Sequence, residues 1–204
     1  MGEIPDIIIG RLPRYLHTLE HLMRQGIQTT SSQELGRLLG LSSAQIRKDL
    51  SQFGEFGKQG TGYAISFLVQ QLRAILNVNQ TWQIALVGAG DLGHAIARYQ
   101  GFENRGFFIA AVFDKDPQKI GQSIGTLVVE DSRKIPERVR ELGIKVAMLT
   151  VPAADAQAVV DLLVESGVQA ILNYAPVVLK VPGGVHVKDI DPINSLQHMT
   201  YYIG

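Results

Sequence analysis

The chain has 204 residues, 46 % of them hydrophobic and 19 % charged, with zero formal net charge and no cysteine. That length suits two modest domains, and the missing cysteines exclude disulfides and Cys-ligated zinc. No apolar run approaches the roughly 20 residues of a membrane helix. The N-terminus lacks a basic segment followed by an apolar core, so no secretory leader is expected and the protein is read as cytoplasmic. Residues 1–79 hold eight Lys/Arg against six Asp/Glu, and residues 80–204 hold eleven against thirteen. This asymmetry is too small to decide by itself on a nucleic-acid partner.

In chain order, residues 13–25 predict a helix. Pro13 suits a first turn, Leu16, Leu19, Leu22 and Met23 form an apolar stripe, and Gly26 is a natural stop. Ser31 and Glu34 have capping-box spacing for a second helix carrying Leu35, Leu38 and Leu39 and ending at Gly40. A third helix over 44–53 should bury Ile46, Leu50 and Phe53 and leave Gln45, Arg47, Lys48 and Ser51 facing out. Two short helices joined by a Gly-containing turn predict a helix-turn-helix. Its second helix would enter a major groove, with Gln45 suited to adenine and Arg47 or Lys48 to guanine or phosphate. Ser31, Ser32 and Ser43 lie at the helix starts nearby. Residues 54–63 hold four glycines, Lys58 and two aromatics, which predicts a β-hairpin wing with Lys58 and Thr61 near DNA backbone. Solvated Arg–Lys pairs are also common on ordinary helical hairpins. A linking helix over 64–79 then leads to a hinge at Asn77–Gln80.

From residue 80, strand and helix patterns alternate. Strands are expected at 83–87, 108–113, 127–129, 146–151, 170–173 and 185–187, and helices at 92–99, 132–142 and 154–166. This order predicts a doubly wound parallel sheet with right-handed crossovers. Ile84–Val87 runs into Gly88-Ala89-Gly90-Asp91-Leu92-Gly93, a G-x-G-x-x-G turn between strand and helix. Asp114 follows at the end of the next strand. Strand, turn, helix and acid together predict a dinucleotide site. In it Gly88 makes the turn, Gly90 admits the pyrophosphate and Gly93 lets helix and strand pack. Asp114 accepts from the adenine-ribose hydroxyls and disfavours a 2′-phosphate, which points to NADH and NAD+; Lys115 beside it softens that preference. The lesser alternative for Asp114 is a strand-ending turn residue before Asp116-Pro117. Two later strand ends should line the same crevice: Thr150-Val151-Pro152, and Asn173-Tyr174-Ala175-Pro176, where Asn173 is suited to a carboxamide. Both are also readable as plain strand-to-loop turns.

After the last strand only residues 189–204 remain, which leaves no room for a substrate domain. The five histidines are scattered. His17 and His21 share a helix face, but no third ligand has suitable spacing, so no metal is expected. His94 should lie near the phosphates. The tail from Ile193 to Ile203 predicts a helix whose stripe (Leu196, Met199, Tyr202 and Ile203) needs a cover, and a symmetric dimer is its natural setting.

Six segments in this order resemble the Rex family of bacterial redox-sensing repressors. They are Thr30–Gly36, Gln45–Gly54, Phe56–Tyr63, Val87–Gly93, Thr150–Pro152 and Ile171–Pro176. The resemblance implies a homodimer built from a winged helix over 1–79, a Rossmann domain over 80–190 and a swapped C-terminal helix over 191–204. It also implies an inverted-repeat operator bound when NADH is low and released by NADH, with NAD+ competing but not releasing. It places Tyr99 near the nicotinamide and makes Asp191 a redox-state-dependent contact. The first-helix partner of Asp191 aligns with His17, with Arg14 a turn earlier, where relatives often carry Arg. Pro192 and Tyr174 also depart from the usual aromatic and Phe. The competing reading is a small NAD- or CoA-binding enzyme with an N-terminal interaction domain.

Overall fold

The computed structural model describes residues 4–57 and 62–203. The chain divides into two compact units, Met1–Gln80 and Thr81–Gly204.

The first unit is a helical bundle with one small ribbon. A short helix α1 (Asp6–Ile9) precedes α2 (Leu12–Arg24), in which Pro13 lies in the first turn. The buried stripe of α2 is Leu12, Tyr15, Leu19 and Leu22; Leu16 is only half-buried and Met23 is exposed. The burial phase therefore differs from the expected one. Tyr15 takes a core position that a count of aliphatic residues overlooks, because its hydroxyl has a buried partner. Strand β1 (Thr29–Thr30) leads to α3 (Ser32–Leu39), and the Ser31 hydroxyl accepts from the Glu34 amide as the cap predicted. Gly40 ends α3 in the left-handed region at φ 68°. Two residues later the Ser42 hydroxyl caps α4 (Ser43–Ser51). A side chain on Gly36 would lie 2.4 Å from the Leu41 carbonyl, so glycine there lets α3 and α4 approach.

Strand β2 (Tyr63–Ala64) pairs antiparallel with β1, through Thr29 with Ala64 and Thr30 with Tyr63. It runs directly into α5 (Ile65–Ile75). Asn77 takes φ 55°, and the Val78 amide bonds back to the Arg73 carbonyl, which stops α5 short of the expected 79. Leu19, Leu35, Ile46, Leu68 and Leu72 meet in the core of this unit.

In the second unit seven strands lie in the order β5-β6-β4-β3-β7-β8-β9. They are β3 (Trp82–Val87), β4 (Phe107–Asp114), β5 (Ser123–Ile124), β6 (Leu127–Asp131), β7 (Val146–Leu149), β8 (Ala170–Asn173) and β9 (His186–Asp189). All neighbours pair in parallel except β5 with β6, which form an antiparallel edge turn. Leaving β5 aside, the order is third, second, first, fourth, fifth, sixth: the doubly wound dinucleotide-fold arrangement, with its switch point between β3 and β7. Helix α6 (Asp91–Ala97) follows β3. Then α7 (Ile135–Glu141) and α8 (Ala153–Glu165) precede β7 and β8. The predicted helix over 132–142 splits into a 3-10 turn at Ser132–Lys134 and α7, where Pro136 fits a helix start and not an interior. Apolar clusters cover both sheet faces, as a parallel sheet requires. Residues 174–185 join β8 to β9 without a helix. Helix α9 (Pro192–Thr200) buries none of its residues within the chain.

Candidate functional site

The switch point gathers three strand ends. From β3 comes the glycine turn, from β4 Asp114 and from β7 Thr150. Together they line a cavity of about 820 Å³ with Val151, Pro152 and Ile135 among its walls. Gly88 has φ 106°, and a side chain on it would collide with the Thr150 backbone. A Cβ on Gly93 would lie 1.9 Å from the Gly88 carbonyl. Around Gly90 no heavy atom comes within 4 Å of a Cβ position, and no side chain caps the first turn of α6. That is the open space and unpaired amide set a pyrophosphate requires, so the residues present fit a dinucleotide. The Thr150 hydroxyl donates to the Gly88 carbonyl at 2.8 Å and fixes the turn across the switch point.

Asp114 is 7 % exposed. Its Oδ2 accepts from the Ala89 amide at 2.7 Å and from Lys119 Nζ at 3.2 Å, and its Oδ1 accepts from the Asp116 amide at 2.9 Å. Burial opposes the charge, but the Asp116 and Ala89 amides and the Lys119 ammonium outweigh it and hold the carboxyl below its usual range. An ionised acceptor therefore stands at the cavity edge, as binding of ribose hydroxyls demands. Lys115, beside it, reaches Asp155 in the first turn of α8 at 2.6 Å. Asp91 and Leu92 sit in the first turn of α6, with Leu92 exposed. Tyr99 lies just past α6, 57 % exposed, with its ring edge-on to Phe102.

Asn173 serves a different purpose from the one its sequence position suggests. It is 1 % exposed, and its Nδ2 faces the carbonyls of Ala175 and Val177 and the Asp189 carboxylate. Its Oδ1 takes the Ala175 amide. Two amide hydrogens serve three internal acceptors, so none is left for a carboxamide. Asn173 holds the Ala175–Pro176 turn and ties β8 to β9.

In the first unit, Arg47 and Lys48 project from α4, exposed, together with Ser51. Arg47 Nη1 donates to the Ser32 hydroxyl at 3.0 Å, which brings the start of α3 and the outer face of α4 onto one surface with Ser31 and Ser43. Lys58 and Thr61 lie outside the described residues. Beside the segment expected as a wing, Phe56 is buried in the unit's core and Gly57 packs against Tyr63, while β2 pairs with β1.

The residue that sequence reasoning missed is Asp49. It is 0 % exposed and takes Arg11 Nε and Nη2 at 2.6 and 2.8 Å, the Tyr15 hydroxyl at 2.5 Å and Gln45 Nε2 at 2.6 Å. Burial resists its charge, while the bonds from Arg11, Tyr15 and Gln45 hold the carboxyl below its usual range. The signal was available: Asp49 lies on the stripe of Ile46, Leu50 and Phe53, and a charge on an apolar stripe demands a partner. Gln45 is half-buried through this bond and does not face freely outward. Among the switch candidates, His17 is exposed and Arg14 donates to the Leu39 carbonyl. The Asp191 carboxylate caps α9 through the Ile193 amide. Among the described residues no cluster of His, Asp or Glu has the makings of a metal site.

Residues 3–51 match the family model described as the N-terminus of putative DNA-binding proteins, and residues 79–177 match that of CoA-binding domains. The chain is 52 % identical over 199 residues to the redox-sensing transcriptional repressor Rex of Chloroflexus aggregans, covering 98 % of this chain and 94 % of that one. It is 51 % identical over 203 residues to the Rex of Roseiflexus sp. strain RS-1, covering 100 % and 92 %. In structure it superposes on RSP in complex with beta-NAD+ and operator DNA with a TM-score of 0.94, at 36 % identity over 100 % of this chain and 94 % of that one. RSP in complex with beta-NADH matches at 0.90 and 34 % identity, over 100 % and 95 %.

Proposed function

Because the chain belongs to the Rex family of redox-sensing transcriptional repressors, we propose that it represses transcription in the cytoplasm, binding an inverted-repeat operator when NADH is low and leaving it when NADH rises. It is a regulator and not an enzyme. The observation that carries this reading is the pairing, in one chain, of a dinucleotide crevice edged by the ionised Asp114 with an exposed Arg47–Lys48 surface on a capped helix-turn-helix.

Gly88, Ala89, Gly90, Asp91, Leu92 and Gly93 would hold the pyrophosphate through backbone. Asp114 and Lys115 would hold the adenosine ribose, and Thr150, Val151, Pro152, Ala175 and Pro176 the crevice walls. Tyr99 would meet the nicotinamide, whose oxidation state is the signal read. On the other unit, Arg47, Lys48, Lys58 and Thr61 would neutralise phosphate or meet base edges, with Ser31, Ser32 and Ser43 donating to the backbone; Ser51 lies on the same face, its hydroxyl given to the Lys48 carbonyl. A homodimer is supported by α9, where Ile193, Leu196 and Met199 are more than half exposed. A two-fold protein also suits an inverted repeat. Arg14, His17 and Asp191 belong to the proposal as residues whose pairing differs between redox states.

The ligand can shift DNA affinity only by favouring one arrangement over another. Titration of operator binding with NADH and, separately, with NAD+ tests this. NADH should lower operator affinity while NAD+ leaves it nearly intact; an operator affinity indifferent to NADH sinks the switch.

A further inference from the structure

The carboxylate of Asp49 can only accept hydrogen bonds, so the Gln45 carboxamide must turn its NH2 toward it. The carboxylate is itself fixed by Arg11 and Tyr15 from α2 and its approach, more than thirty residues away in sequence. Gln45 thus has a set orientation, which an exposed glutamine does not. Its Oε1 has no internal partner among the described residues and is not buried. Gln45 sits in the first turn of α4, next to the exposed face that carries Lys48. First-turn residues of a recognition helix are the ones that meet base edges.

We propose that Asp49 is a positioning residue for sequence readout: it holds Gln45 as a hydrogen-bond acceptor, so that Gln45 selects a base with an exocyclic amino group, adenine or cytosine, on one strand of each half-site. One of the two Gln45 amide hydrogens goes to Asp49; pairing with both N6 and N7 of adenine would need the other aimed at N7. This inference rests on the reading of α4 as the DNA-reading helix.

The test uses the full-length protein without NADH and a pool of random duplexes. Wild type should enrich an inverted repeat with one position per half-site held to adenine or cytosine on one strand. Gln45→Ala should lose the preference at that position and keep the others. If wild type enriches nothing, the DNA reading itself falls and the inference with it. If it enriches a repeat that Gln45→Ala leaves unchanged, only the inference falls.

Asp49→Asn, which presents either an acceptor or a donor to Gln45, should relax that one position; a merely structural role would weaken all positions alike. Base analogues keep the idea testable should that variant not fold. Where the selected base is adenine, replacement by purine, which lacks the amino group, should weaken wild-type binding about tenfold. The 7-deaza analogue, which keeps the amino group and loses N7, should bind nearly as the parent does. Equal losses from both analogues would mean bidentate pairing and overturn the proposal. Where the base is cytosine, its 4-deoxy analogue should produce the same tenfold loss, and an unchanged affinity would overturn it.

Discussion

Each unit of the chain buries one aspartate among its apolar residues, and the two differ in what holds them. Asp49 is sealed: three side chains, from Arg11, Tyr15 and Gln45, converge on it from the approach to α2, from α2 itself and from α4. Asp114 is held by two backbone amides, those of Ala89 and Asp116, and by the exposed end of Lys119. Both carboxyls stay below their usual range although burial opposes it in each case. Side-chain partners that fill every approach make a structural joint. Amides on a loop leave the carboxylate open on the cavity side, where a ligand's hydroxyls can reach it. The same residue type is therefore a hinge pin in one unit and half of a binding site in the other, and the source of its donors decides which.

That comparison is broken most severely by Asp49→Ala, which leaves the Arg11 guanidinium and the Tyr15 hydroxyl without their acceptor. Loss of one partner of a buried pair costs about 3–5 kcal/mol. A thermal melt should show the first unit destabilised, and operator binding should fall with it. Gly93→Ala should follow. Its methyl group would collide with the Gly88 carbonyl, and overpacking of this kind costs about 1–3 kcal/mol. NADH binding by calorimetry should be lost while the first unit's melting is retained; wild-type NADH affinity in this variant would contradict the geometry of the turn.

Asp114→Ala removes the acceptor at the crevice edge and releases the Ala89 and Asp116 amides that it holds. NADH should bind about ten- to hundredfold more weakly, given about 1.5–3 kcal/mol for a hydrogen bond to a charged group. Operator binding without NADH should stand unchanged. Arg47→Ala has the smallest effect: the salt slope of operator binding should fall by about 1, with NADH affinity unaltered.

Acid sharpens the comparison further. A carboxyl whose folded pKa is depressed gives stability that is complete above its unfolded value, near pH 4, and is lost as pH falls through the folded value. Both aspartates act in this direction. Asp49→Asn should therefore flatten the acid limb of the first unit's stability curve, and Asp114→Asn that of the second. An unchanged limb in either variant would show that its carboxyl carries no such linkage.

Much of the architecture was legible from residue spacing. Ser31 with Glu34, and Gly40 before Leu41-Ser42, mark helix ends by local chemistry; α3 begins and ends and α4 begins where those signals place them, while α4 ends at Ser51, two residues short of the expected 53. The strand runs and the glycine turn specified the alternation and the position of Asp114 in the same way. Spacing misjudged what depends on distant partners. Tyr15 joins the core because Asp49 waits for its hydroxyl, and α7 starts late because Ser132–Lys134 first makes a tighter turn. Strands β1 and β5, two residues each, carry too few side chains to show a period.

The sequence by itself determined the elements that local forces settle: the caps, the glycine turn, the alternation of strand and helix, and the exposure of Arg47 and Lys48. Its family resemblance extended that to a redox-sensing repressor. Only the tertiary structure decided which polar groups are already spent. Asn173 gives its amide to a turn and to Asp189, Gln45 gives one amide hydrogen to Asp49, and Asp114 keeps a face toward the cavity. The physical reason is that a hydrogen-bond donor has few hydrogens, and their partners come from residues far away in the chain. No window of neighbouring residues reveals whether a side chain is free to meet a ligand.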